Sequence, residues 1–276
     1  MKEGASMENA KQPVFLTVQM LKGGVGKSVI AYNFMMWLAI EKNKKVLGID
    51  LDENCNFSQV LDVYDQEGTV ANILTGEGDV KIHHITDNVD LIGGFNRLHD
   101  VQEDNARSEK KTMMLYMWLE DNYDRLNLGQ YDFIIIDTHN DFGTATKNAV
   151  AVSHLMISPI EPVDFSATAT VKQRLEEFKN DVIDFRTRES YITTDLKFVG
   201  NKIRHTKNGK EFEERIANDE EFIAKFRFKE PFNTSIQKKT PISLLLKKPR
   251  NQDEKDFKQS FDENMEYIYQ EAKKYQ

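Results

Sequence analysis

The segment Leu21-Lys22-Gly23-Gly24-Val25-Gly26-Lys27-Ser28 concentrates residue types that handle phosphate. Glycines let backbone N–H groups converge on phosphate oxygens, because glycine tolerates the unusual backbone angles and the close approach this needs. A lysine at the end of such a loop reaches the β- and γ-phosphates, and the hydroxyl after it ligates Mg²⁺. Lys27 and Ser28 hold those two positions, with Gly23, Gly24, Val25 and Gly26 as the cradle. The general phosphate-loop pattern carries glycine where this chain has Leu21, and a second lysine, Lys22, stands directly before Gly23. Asp137 closes Tyr131-Asp132-Phe133-Ile134-Ile135-Ile136, an apolar run that would deliver one carboxylate to a Mg²⁺ shell. Two further carboxylates, Asp50 and Asp52, follow the short apolar run Lys45–Ile49.

These groups need a frame to bring them together. Val14–Met20 has strand length and leads into the glycines. Val29–Ile40 follows and is apolar nearly all round, as a buried helix would be. The loop therefore joins a strand to a helix N-terminus, whose dipole favours anions. Further strands are expected at Lys45–Ile49, Val89–Ile92, Tyr131–Ile136, His154–Ile160, Lys197–Ile203 and Phe222–Phe228. Helices are expected over Lys111–Leu126 and Ala167–Arg186. About seven strands alternating with helices predict an α/β fold, a single P-loop domain whose mostly parallel sheet is covered on both faces. Residues 1–12 read as a loose tail and 13–276 as one domain, with no linker-like stretch between halves. The last helix, Glu254–Lys274, carries Phe257, Phe261, Met265, Ile268 and Ala272 on one stripe. Its other face mixes acids and bases, which suits packing on the domain better than lying on a membrane.

Composition narrows the classes. The chain has 276 residues, 39% of them apolar, enough for a core and too many for global disorder. A single cysteine, Cys55, excludes a disulfide framework, a cysteine-rich zinc site and an iron–sulfur cluster held within one chain. The adjacent His83 and His84 lack metal-ligand spacing. No apolar run approaches membrane-spanning length, and Met1–Gln12 lacks the apolar core of a secretory signal, so a cytoplasmic protein is expected. The net charge of −8 is unevenly spread. Asp50–Asp104 holds thirteen acids and two bases, whereas Asn233–Arg250 holds five bases and no acid. One face is expected to repel polyanions while another attracts them.

The Lys22-to-Ser28 form, with its extra lysine, resembles the deviant Walker A motif of the ParA/MinD class of partition ATPases. That resemblance implies an ATP-sandwich homodimer in which Lys22 reaches the partner's phosphates. It also implies that Asp52 orients the attacking water and that Asp50 supports Mg²⁺ and its waters. The family pattern has Pro-Gln where Glu53-Asn54 stand, and two prolines where His139-Asn140 follow Asp137 and Thr138. Asn201 in Val199-Gly200-Asn201-Lys202 resembles the family's adenine-side asparagine, whose amide offers both a donor and an acceptor.

In ParA proteins, basic residues late in the chain bind DNA without sequence preference. The resemblance assigns that role to Lys238, Lys239, Lys247, Lys248 and Arg250, with Lys202, Arg204 and Lys207 as additions. It also implies a centromere-binding, ParB-type adaptor that stimulates hydrolysis, nonspecific double-stranded DNA as a partner, nucleoid association, and no membrane. A positioning ATPase acting on a membrane or protein cargo, a conjugation accessory ATPase, and a chain holding ATP as a fixed ligand share much of this machinery.

Overall fold

Short apolar segments alternate with helices along the chain, and the computed structural model, which describes residues 12–104 and 110–276, assembles them into one sheet. The strands are β1 (Val14–Val18), β2 (Val46–Leu51), β3 (Ile82–Thr86), β4 (Val89–Ile92), β5 (Phe133–Thr138), β6 (Leu155–Ile160), β7 (Asp195–Ile203) and β8 (Phe222–Arg227). The first helices are α1 (Lys27–Glu41), α2 (Asn56–Val60), α3 (Val70–Thr75), α4 (Leu98–Asp104), α5 (Met114–Asn122) and α6 (Thr144–Val152). They are followed by α7 (Ala167–Asp181), α8 (Lys207–Ile216), α9 (Glu230–Gln237), α10 (Ile242–Leu245) and α11 (Gln252–Ala272). Gln12 aside, the expected 1–12 tail lies outside the described residues.

The strand order is β3-β4-β2-β5-β1-β6-β7-β8, and only the β3–β4 pair is antiparallel. β2, β5 and β6 are buried at every position, as strands covered on both faces must be. One apolar layer joins α1 and α11 to the sheet; the opposite face packs under α3, α5 and α6 and, further along, under α7 and α8.

The sheet has one strand more than the expected seven. β3, Ile-His-His-Ile-Thr, sits at the sheet edge with alternate residues exposed, so its pattern is weakly apolar. Its histidines pair locally: His84 Nδ1 lies 2.9 Å from Asp90 Oδ1, and His83 Nε2 lies 3.5 Å from Asp65 Oδ2. α7 ends at Asp181, short of the expected Arg186. The chain turns there because Asp184 Oδ1 accepts the backbone N–H groups of Arg186 and Thr187, and Ile183 bridges to Ser190. The stripe on α11 packs as expected: Phe261, Met265 and Ile268 are fully buried, each contributing about 1.5–3 kcal/mol. No helix among the described residues is long and apolar enough to cross a membrane.

Parallel pairing decides which side chains meet at the carboxyl end of the sheet. β1 lies between β5 and β6, in a register that pairs Val18 with Asp137 and with Ile157. β2 lies beside β5 with Asp50 opposite Asp137. The glycine loop, both carboxylates, the segment after β6 and the end of β7 thus crowd one edge, where ligands bind in open α/β sheets.

Candidate nucleotide site

The loop from β1 to α1 has the geometry its glycines predict. Gly24 and Gly26 have φ of 77° and 92°, left-handed values that L side chains rarely adopt. A Cβ on Gly26 would also stand 2.7 Å from Asn201 Nδ2. Gly26 is the N-cap of α1, which has no side-chain cap and no acid in its first turn. Its leading N–H groups and dipole are therefore left for an anion. Lys27 is buried, and burial lowers its pKa against the pull of Asp137, Asp52 and Asp141. A buried lysine among carboxylates, at the mouth of a glycine cradle, is suited to neutralise phosphate charge.

The three carboxylates differ sharply in what they touch. Asp50 is fully buried, and both of its oxygens are engaged: Oδ2 accepts from Ser58 N at 2.8 Å and Ser58 Oγ at 2.7 Å, and Oδ1 accepts from Asp52 N at 3.1 Å. Burial pushes its pKa up to about 6 despite these bonds. Ser58 Oγ accepts in turn from Gly94 N, so Asp50 anchors the turn into α2. Asp137 is equally buried, yet neither of its oxygens has a hydrogen-bond partner. Burial first, and then the Asp50 charge, drive its pKa well above the ordinary carboxylate range, with the nearby Ser28 hydroxyl and then Lys27 opposing part of the shift. An orphaned carboxylate beside Lys27 is a fit for a divalent cation, which would supply the missing partner and relieve the charge. Asp52 lines the same cleft as Gly24, Lys27 and Asn140. Its Oδ1 accepts from Asn54 N and Nδ2, both at 3.0 Å, and from His139 Nδ1 at 2.8 Å.

Lys22 stands at the rim, half exposed. Its ammonium donates to both oxygens of Asp164, at 2.8 and 2.7 Å, and this contact raises its pKa. Asp164 lies just after β6, in a turn whose Val163 side chain is largely exposed. Asn201, at the end of β7, is buried and donates from Nδ2 to the Val25 carbonyl at 2.7 Å. Lys202 has φ of 52° and donates to the Gly24 carbonyl while pairing with Glu161 at 3.1 Å. Its place is therefore on the phosphate loop and not in a basic patch. Asp164 and this contact of Lys202 had no sequence signal, because each partner lies far away in the chain, and Ser58, eight residues after Asp50, belongs to no motif that marks it. Gln19 is a further support: Thr138 Oγ1 donates to its Oε1 at 2.5 Å, and its Nε2 donates to the Asp141 carbonyl, fastening the segment after β5 to β1.

The late basic residues are all exposed, but they are not equivalent. Lys239 pairs with Asp62 and donates to Tyr64 Oη at 2.7 Å, and Arg250 pairs with Glu254 at 2.8 Å. Lys238, Lys247 and Lys248 have no ion pair among the described residues. The segment is tied to α1 through Asn33, whose Nδ2 donates to Ser235 Oγ at 3.1 Å and whose Oδ1 accepts from Ile242 N at 3.0 Å. Ile236 of the same segment lines the nucleotide cleft.

A glycine cradle at the N-terminus of α1, a buried lysine and an orphaned strand-end carboxylate together define a P-loop nucleotide-binding protein. The family model AAA_31, described as an AAA domain, matches residues 15–187, and the chain belongs to that family, as a P-loop ATPase of the ParA/MinD class. The chain is 31% identical over 202 residues to an uncharacterised protein of Methanocaldococcus jannaschii, covering 68% of this chain and 71% of that one. It is 29% identical over 161 residues to a virulence-plasmid ParA family protein of Chlamydia psittaci, covering 57% of this chain and 60% of that protein's length. A crystal structure of a putative plasmid partition protein from Borrelia burgdorferi, bound to AMPPNP, has the same fold. Its TM-score is 0.76 at 21% identity, over 94% of this chain and all of the other.

Proposed function

We propose that this chain is a Mg·ATP-dependent partition ATPase that binds DNA nonspecifically as an ATP-bound homodimer. The observation that carries the reading is the meeting, at one sheet edge, of the cradle with Lys27, the orphaned Asp137 and an exposed signature lysine, Lys22. Bound Mg²⁺ would neutralise phosphate charge and orient the γ-phosphoryl group. Asp137 and Ser28 are the residues to hold it. Asp50, with both oxygens already engaged, acts toward the cation and its waters mainly by ordering the segment that carries Asp52. Asp52 holds the attacking water. Asn201 faces the loop through its nitrogen, which leaves its amide oxygen for the adenine edge. Lys22 leaves Asp164 to reach the partner's phosphates, so dimerisation depends on ATP.

The relatives named for plasmid functions support a cargo of plasmid DNA. The resemblance of the Lys22-to-Ser28 motif to ParA proteins extends the proposal to a centromere-binding, ParB-type adaptor that stimulates hydrolysis, with the ATP dimer held at the nucleoid. Lys238, Lys247 and Lys248 make the phosphate contacts, and Lys239 and Arg250 join only by exchanging their acidic partners for phosphate. The test is binding of the purified protein to a random-sequence duplex with ATP, with ADP and without nucleotide, across a salt series. Three unpaired lysines per protomer, six in a dimer, give a slope of log K against log salt of about −5 with ATP. Absence of binding at low salt in every nucleotide state removes the DNA mechanism. Binding that ignores nucleotide removes the switch.

A further inference from the structure

The ParA-like pattern of switch residues is interrupted after β5, where His139 follows Asp137 and Thr138. The imidazole lies between two carboxylates: Nδ1 is 2.8 Å from Asp52 Oδ1, and Nε2 is 3.6 Å from Glu53 Oε1. A carboxylate only accepts, so Nδ1 donates to Asp52. Three donors then converge on one oxygen of Asp52, two from Asn54 and one from His139. That convergence stops rotation of the carboxylate and leaves Oδ2 as the oxygen free to hold a water. Asn54 belongs to the same turn as Asp52, whereas His139 comes from the segment just after the neighbouring strand, β5. The histidine contact is thus the one among the three that fixes Asp52 relative to Asp137 and the rest of the cleft. Gln19, bonded both to Thr138 and to the Asp141 carbonyl, holds the segment from which the ring projects.

We propose that His139 is a positioning residue for hydrolysis: it orients Asp52 and couples the segment after β5 to the segment after β2. The inference rests on the reading of Asp52 as the group that holds the attacking water. Orientation of that kind affects turnover and leaves nucleotide affinity nearly alone, since the cradle and Lys27 are untouched. Misplacing a reacting group by about 1 Å costs on the order of a hundredfold in rate.

Two readouts test it. The first needs no nucleotide. Long-range proton–nitrogen spectra of the histidine side chains, with the His139 signal assigned by its loss in His139→Ala, report which ring nitrogen carries a proton. An Nδ1-protonated ring whose signal moves in Asp52→Ala supports the contact. A bare Nδ1, or a signal indifferent to Asp52→Ala, overturns the proposal. The second readout is steady-state ATP hydrolysis beside equilibrium binding of a fluorescent ATP analogue. His139→Ala should keep analogue affinity and KM within about threefold while kcat falls tenfold or more. His139→Asn, whose amide nitrogen sits near the place of Nδ1, should recover most of that loss. An unchanged kcat in His139→Ala overturns the proposal. So does an affinity that falls in step with kcat, or an asparagine no better than alanine. A wild-type chain that binds ATP without turning it over, with DNA present, defeats the reading of Asp52 and this inference with it. Failure of the spectra or of the asparagine rescue in an active wild type defeats only the inference.

Discussion

Removing Asp137 should make the nucleotide-free protein more stable and its nucleotide site useless. Both oxygens of this carboxylate are buried without a hydrogen-bond partner, and burial together with Asp50 raises its pKa. A buried polar group left unpaired costs about 1–3 kcal/mol. The carboxylate-sized void left by Asp137→Ala returns under about 1 kcal/mol of that. The variant also loses the attraction on buried Lys27 and the Ser28 contact, so the net gain is about 0–2 kcal/mol, which for a domain of this size raises Tm by up to about 8 °C. The gain depends on pH. A carboxyl whose pKa is raised in the folded state carries its charge penalty only above its unfolded pKa of about 3.9, and the penalty grows until the folded pKa is passed. The stabilisation should therefore be smallest near pH 4 and largest above neutrality. Wild type should instead gain about 2.7 kcal/mol from Mg·ATP at a hundredfold excess over Kd, a gain the variant loses. Thermal unfolding in chelator, and in Mg·ATP, at pH 4.5, 6 and 8 reads all of these. A variant less stable than wild type in chelator at pH 8, or one that keeps the full Mg·ATP shift, refutes the assignment of Asp137 as an unsatisfied cation ligand.

Further outcomes follow from the same geometry. Lys27→Ala should abolish ATP binding in equilibrium titration, and normal affinity would remove the lysine from the phosphate site. Asp52→Ala should bind ATP normally and hydrolyse it at least about a hundredfold more slowly, read by phosphate release. Lys22→Ala should remain monomeric in ATP by sedimentation, while Asp164→Asn, which frees the lysine ammonium from its ion pair, should dimerise at lower ATP concentration than wild type. A Lys22→Ala chain that still forms an ATP-dependent dimer excludes the role of that lysine in trans.

The phosphate loop was legible in the residues because it is local. Gly23 to Ser28 are consecutive, and backbone sterics and a helix N-terminus determine what such a segment does wherever it is placed. The apolar runs of β2, β5 and β6 were legible for a related reason: a strand buried on both faces has no polar side to disguise it. Edge strand β3, polar and half exposed, had no such signature. Neither did the turn that ends α7, which depends on one aspartate, Asp184, accepting the backbone N–H groups of Arg186 and Thr187.

The division of labour among the carboxylates required the tertiary structure. By type and position Asp50 and Asp137 look alike, each an aspartate at the end of an apolar strand. Parallel register sets them side by side, and the turn into α2 then supplies donors to Asp50 and none to Asp137. The same holds for the charges. Lys238 and Lys239 are neighbours in a basic segment, but only the fold places Asp62 against the second, as it places Asp164 against Lys22 and His139 against Asp52. Local pattern determines elements and motifs, because propensity and steric limits act over a few residues. Which distant side chains become partners is decided by strand order and register, and here that choice separates the carboxylate left for a cation from those that order the loops around it.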